Sequence, residues 1–155
     1  MISAVVIFLS AITVSNACVP TTTTTTTTTP CCTMLSQSVL PRRAPSVSTQ
    51  EQCSVLQRVS STCPVDGIVV CDAAQETNPT SISIEFFSSS GTVVRTATVT
   101  GSPASSVTVK VVCVNGVWRV PDSTGSSTSQ AISSVSCSQA GSQGTDRGYI
   151  IGTSI

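Results

Sequence analysis

The sequence predicts an all-β fold, a small disulfide-stapled antiparallel β-sandwich preceded by a disordered Thr-rich stalk. Three observations predict it. Short runs alternate apolar and polar side chains, turn residues separate those runs, and eight cysteines occur without a single histidine. Alternation with a period of two puts one face of each run against a core. An even cysteine count behind a secretory leader reads as a set of staples.

The leader comes first. Residues 1–17 read MISAVVIFLSAITVSNA, apolar apart from small polar residues and ending small-x-small at Ser15, Asn16 and Ala17. This is the pattern of a secretory signal peptide whose cleavage after Ala17 leaves Cys18 at the front. The run falls short of the roughly 20 apolar residues needed to span a bilayer, and nothing later is longer. The expected product is secreted and extracellular, with no membrane insertion and no lipid anchor.

Residues 18–31 form a low-complexity stalk. Thr21, Thr22, Thr23, Thr24, Thr25, Thr26, Thr27, Thr28 and Thr29 stand unbroken between Pro20 and Pro30. Such a stretch has nothing to pack a core with, and its dense hydroxyls are candidate O-glycosylation sites. N-glycosylation lacks an acceptor, since Asn78 precedes Pro79 and neither Asn16 nor Asn115 has Ser or Thr two positions on.

Residues 32–137 form the β domain. Residues 51–59 suggest at most a helical turn, with Val55, Leu56 and Val59 on one face. Strands follow at 67–71 (GIVVC) after an Asp66-Gly67 turn, at 81–87 (SISIEFF) with Ile82, Ile84 and Phe86 facing inward, and at 92–100 (TVVRTATVT). The run 107–114 (VTVKVVCV) puts Val107, Val109, Val111 and Cys113 on one face. Asn115-Gly116 accepts the positive φ of a type I′ hairpin and leads into 117–120 (VWRV), which sets Trp118 over the core. A last strand covers 131–137 (AISSVSC). Residues 138–155 read as a flexible C-terminal tail.

Composition narrows the function classes. Charged residues make up 9% and aromatics 3%, while Ser and Thr supply about a third of the chain, more than in an ordinary globular domain. A core of mostly Val and Ile therefore relies on disulfides, each contributing about 2 to 4 kcal/mol. Net charge is zero, with Lys110 the only lysine and six scattered arginines, so no basic face offers itself to nucleic acid.

The cysteines are Cys18, Cys31, Cys32, Cys53, Cys63, Cys71, Cys113 and Cys137. Without histidine or a CxxC pair, zinc is excluded as the reason for them, and no other metal or cofactor is expected. Adjacent Cys31 and Cys32 should reach different partners, and Cys71 is expected to join Cys113 across the sandwich because both sit late in inward-facing strands. No Ser-His or Cys-His relay can be assembled, so no catalytic residue is assigned. The carboxylates Glu51, Asp66, Asp72, Glu76, Glu85, Asp122 and Asp146 show no spacing that predicts a glycosidase-like pair in a cleft. Arg42-Arg43, between Pro41 and Pro45, is the one candidate processing site, and the alternative is a surface loop held extended by its prolines.

The leader ending at a cysteine, the stalk CVPTTTTTTTTTPCC, the segment CPVDGIVVC, the strand IEFF, the hairpin CVNGVW and the final VSC together resemble the nematode six-cysteine (C-six) domain family. The resemblance spans roughly 32–137. It implies a framework of Cys32, Cys53, Cys63, Cys71, Cys113 and Cys137 in three disulfides, with Cys18 and Cys31 as additional cysteines, and it implies no active site. The expected function is a secreted structural or interaction module with an unknown extracellular protein or glycan partner. A carbohydrate-binding or defence-related module, using Trp118 and Tyr149, and a protease inhibitor, using an arginine loop, are the alternatives.

Overall fold

Alternating runs become eight strands among the described residues, which are 30–143 of the computed structural model. The predicted signal peptide, the threonine tract, Cys18, Asp146 and Tyr149 lie outside that range. The strands are β1 Val55–Ser60, β2 Asp66–Asp72, β3 Ser81–Phe87, β4 Val93–Thr100, β5 Ser106–Val114, β6 Val117–Pro121, β7 Ser129–Ala131 and β8 Ser134–Ala140. They form two antiparallel sheets, one ordered β1-β2-β5-β6-β7 and the other β4-β3-β8. The inner faces meet in one core that includes Val69, Val111 and Val120 from the larger sheet and Ile82, Ile84, Phe86 and Val135 from the smaller. Leu35 and Leu40, on the segment before β1, complete it. Each such aliphatic buried from water stabilises the fold by about 1.5 to 3 kcal/mol.

The strands predicted from alternation lie where expected, within a residue or two. Asn115 and Gly116 both take positive φ, 52° and 78°, so the hairpin from β5 to β6 has the handedness that matches strand twist. Asp66 and Gly67, expected as a turn, lie inside β2, and Gly67 answers a different need. A Cβ there would sit 2.7 Å from Leu35 Cδ1 and 2.9 Å from the Val59 carbonyl oxygen, so only glycine lets β1 and the segment carrying Leu35 close over β2.

Three sequence expectations are corrected. Residues 51–59 hold no helical turn. Leu56 points to the core while Val59 stays half exposed, because the pairing Leu56↔Cys71 and Val59↔Ile68 puts them on opposite faces of β1. The single strand expected at 131–137 is two strands in different sheets. Ile132 N donates to the Trp118 carbonyl and Ser133 N to the Phe87 carbonyl, so the chain crosses from the larger sheet to the smaller at these two residues. The tail does not begin at 138 either. Ser138 and Gln139 are buried in β8, and Gln143 N still donates to the Thr77 carbonyl.

Disulfides join Cys31 to Cys63, Cys32 to Cys113 and Cys71 to Cys137. The expected Cys71–Cys113 pairing is therefore wrong. Both residues lie in one sheet on adjacent strands, where Cys71 faces Val107 and Cys113 lies six positions further along β5, about 20 Å away. No bridge spans that separation. Cys71 instead reaches β8 in the opposite sheet, with Cα atoms 5.5 Å apart. Cys31, expected as an extra, belongs to the framework, so these bridges draw on Cys31 where the resemblance put Cys53. The reason is local. Cys32 N donates to the Pro64 carbonyl, which lays the start of the domain against the turn carrying Cys63.

The bridges close separations of 32, 81 and 66 residues. Replacing both Cys71 and Cys137 by alanine is expected to lower unfolding free energy by about 2 to 5 kcal/mol in guanidinium titration. A loss below about 0.5 kcal/mol, the range of ordinary surface substitutions, would show that the bridge carries little of the fold's stability.

Candidate functional site

A three-stranded sheet with Ile82, Ile84 and Phe86 on its inner face should leave Ser83, Glu85 and Ser136 in water on the other. Instead all three are buried. The cover is a strap, residues 41–52, whose two ends are stitched to the free edge of β8. At one end Arg43 N donates to the Val135 carbonyl at 2.9 Å and Val135 N to the Pro41 carbonyl at 3.0 Å. At the other, Glu51 and Gln139 exchange backbone hydrogen bonds of 2.7 and 2.9 Å. Between these stitches the strap passes over the sheet.

Beneath it lies a polar layer with its hydrogen bonds satisfied. The Glu85 carboxylate, 4% exposed, accepts from Ser46 N at 2.7 Å, from the Ser46 hydroxyl, and from Ser136 Oγ at 3.1 Å. The register places Glu85 between Thr96 and Ser136, so the strand pairing itself presents one of those donors. Ser138 Oγ donates to Gln50 Oε1 at 2.7 Å. Arg43 lies over the Phe87 ring, 4.1 Å from its centroid. Gln139 serves the opposite end of the sheet. Its Oε1 accepts from Ala74 N at 2.9 Å, and its Nε2 donates to Thr77 Oγ1 at 2.9 Å and Ser142 Oγ at 2.7 Å.

Arg42 is the fastener. Its guanidinium donates to three backbone carbonyls, those of Ser54 at 2.8 Å, Gln52 at 2.6 Å and Cys137 at 2.7 Å. Burial pushes its pKa down, partly offset by the nearby Cys53 sulfur. Arg58 is pushed down as well, first by burial and then by repulsion from Arg42. Its Nε donates to the Leu40 carbonyl at 2.7 Å. Its Nη2 is the one buried side-chain nitrogen or oxygen among the described residues that has no hydrogen-bond partner.

The predicted processing site is thus part of the frame. Arg42 and Arg43 are both spent on holding the strap. Asp72 accepts from Gln57 Nε2 at 2.6 Å, and Glu51 accepts from the Ser142 hydroxyl. Asp66 and Lys110 form an exposed ion pair at 2.8 Å, a geometry that contributes little to stability. Trp118 is buried, with its indole Nε1 donating to the Thr33 carbonyl at 2.9 Å, so its ring is no platform for a sugar. Among the described residues no three of Asp, Glu, Cys and His converge on a point that could hold a metal ion.

The sequence pattern puts Glu85 in solvent and Gln139 in a loose tail, yet both are buried hydrogen-bonding groups. A signal was present. For Glu85 the run SVSCSQA puts Ser134, Ser136 and Ser138 on the face that carries it, which is the composition of a face meant to hydrogen-bond rather than merely be wetted.

A different part of the surface is open. The outer face of the five-stranded sheet exposes Val59, Ile68, Val114 and Val117, between 38% and 50% accessible. Register pairs Val59 with Ile68 and Val114 with Val117, so these four lie on one face around the Lys110–Asp66 pair.

Native, oxidised protein is expected to resist trypsin at Arg42 and Arg43. Arg42→Ala should raise the cleavage rate after Arg43 at least tenfold, read by mass spectrometry of timed digests; equal rates would mean that the guanidinium does not hold the strap. No known protein family, curated protein or solved structure matches the chain.

Proposed function

We propose that this chain is a secreted interaction module, an O-glycosylated threonine stalk presenting a covalently locked β domain to an extracellular protein partner. The observation that carries the reading is the apolar outer face of the five-stranded sheet. Isolated exposed aliphatics are ordinary, but four gathered on a rigid sheet face around one ion pair offer the mixed surface that protein partners bind. Three disulfides support the compartment, because such bridges persist in oxidising surroundings. No described helix is long and apolar enough to cross a membrane.

The alternatives draw less support. A sugar-binding role would rest on Trp118, whose ring is in the core, and an inhibitor would need an arginine loop that projects, whereas Arg42 and Arg43 turn back onto the domain.

The test is capture of extracellular proteins by the oxidised, secreted chain carrying a photo-crosslinker, compared with a Val59→Ser, Ile68→Ser, Val117→Ser variant. Specific recovery of one extracellular protein, lost in the variant, is the expected result. Recovery unchanged by the variant, or selective retention on a glycan array, overturns it. The stalk is tested separately by intact mass. Chain secreted from animal cells should carry hexosamine and hexose increments confined to the peptide holding Thr21 to Thr29, and an unmodified mass would refute the glycosylated stalk.

A further inference from the structure

Four strands terminate the two sheets, and three of them are dealt with. The edge of β8 is stitched by the strap at Arg43 and Glu51. β1 is tied to the segment before it, where Ser60 Oγ accepts from Leu35 N at 2.9 Å and Arg58 reaches the Leu40 carbonyl. β7 is three residues long. β4 is different. It runs for eight residues, Thr96, Thr98, Val99 and Thr100 are exposed, and it contains no proline, glycine or lysine. Its one charge, Arg95, is turned away, with Nη1 donating to the Pro121 carbonyl at 2.6 Å. A register shift opposite Phe86 and Phe87 disturbs only the start, leaving 95–100 regular. Natural edge strands carry a block of some kind, such as charge, proline, a bulge or a cover; the bulge of β4 is confined to its start, and the regular stretch 95–100 is left as a template for another strand.

We propose that β4 is a self-association edge that joins a second copy of this chain antiparallel about a two-fold axis, merging two three-stranded sheets into one of six strands. The strand is complementary to itself. A two-fold centred on Ala97 sets Thr96 against Thr98 and Arg95 against Val99, and one centred on Thr98 sets Thr96 against Thr100 and Ala97 against Val99. Each register keeps the two sheet faces matched, pairs threonine with threonine, and brings no like charges together. A formal net charge of zero adds no long-range repulsion. Growth stops at two copies, because the opposite edge of the merged sheet is β8 under its strap.

Sedimentation velocity of the full oxidised chain, from micromolar to submillimolar concentration, reads the outcome. Wild-type protein should show a concentration-dependent dimer. Thr96→Glu/Thr98→Glu and Thr96→Lys/Thr98→Lys chains should each self-associate at least tenfold more weakly, since like charges then meet in either register, and an equimolar mixture of the two should pair again. A wild-type monomer throughout, a dimer untouched by the substitutions, or a mixture that fails to pair overturns the proposal. Hydrogen exchange of the wild-type chain covers the case in which the variants misfold. Amides of 95–100 should gain protection with concentration while those of β1 do not, and unchanged protection at 95–100 overturns the proposal as well.

Discussion

The Cys71–Cys137 bridge ties the second strand of the larger sheet to the edge strand of the smaller, and most of what surrounds it depends on that distance being held. The core between the sheets is built largely from valine and isoleucine, with Phe86 and Trp118 the only aromatics in the cluster. Side chains of that size bury modest area each, so the hydrophobic effect alone holds two sheets together weakly. The bridge restricts the unfolded chain and fixes how far β8 stands from β2. Arg42 then reads the same position from the other side, because one of the carbonyls it clamps belongs to Cys137.

The strap follows from this arrangement. With β8 fixed, its outer edge offers backbone groups at Val135 and Gln139 that the strap meets at both ends. Closing the strap removes water from Glu85, Ser136 and Ser138. That burial is costly unless every group finds a partner, and a buried carboxyl group needs several. Ser46 and Ser136 supply them, so the small sheet has an apolar layer on one side and a hydrogen-bonded layer on the other. The second layer specifies geometry more sharply than more valine would, since a slip of one residue in β8 would leave Glu85 facing Val135 or Cys137.

Local pattern was enough to read the strands. Val107, Val109 and Val111 alternate too cleanly to mean anything else, and Asn115-Gly116 announces its own turn. What could not be read was which strand joins which sheet. Ala131 to Cys137 looks continuous because the two crossing residues, Ile132 and Ser133, carry no proline or glycine to mark the break. The disulfide pairing depends on the same long-range information, since depth in a strand, which matches Cys71 to Cys113, says nothing of sheet membership. Residues 41–60 were hardest. The strap has no alternation because its side chains serve a polar layer, and Val55, Leu56 and Val59 imitate a helical face while belonging to a strand that is apolar on both sides.

The Arg42 clamp is insensitive to thiols. Reductant can open the sulfur bridges, yet the hydrogen bonds that run from the Arg42 guanidinium to the Ser54, Gln52 and Cys137 carbonyls contain no bond that electron transfer can break. The strap is thereby held to β8 by two chemically independent devices, its own hydrogen bonds and the disulfide-fixed position of the strand. A change in redox conditions acts on one of the two and leaves the chemistry of the other untouched.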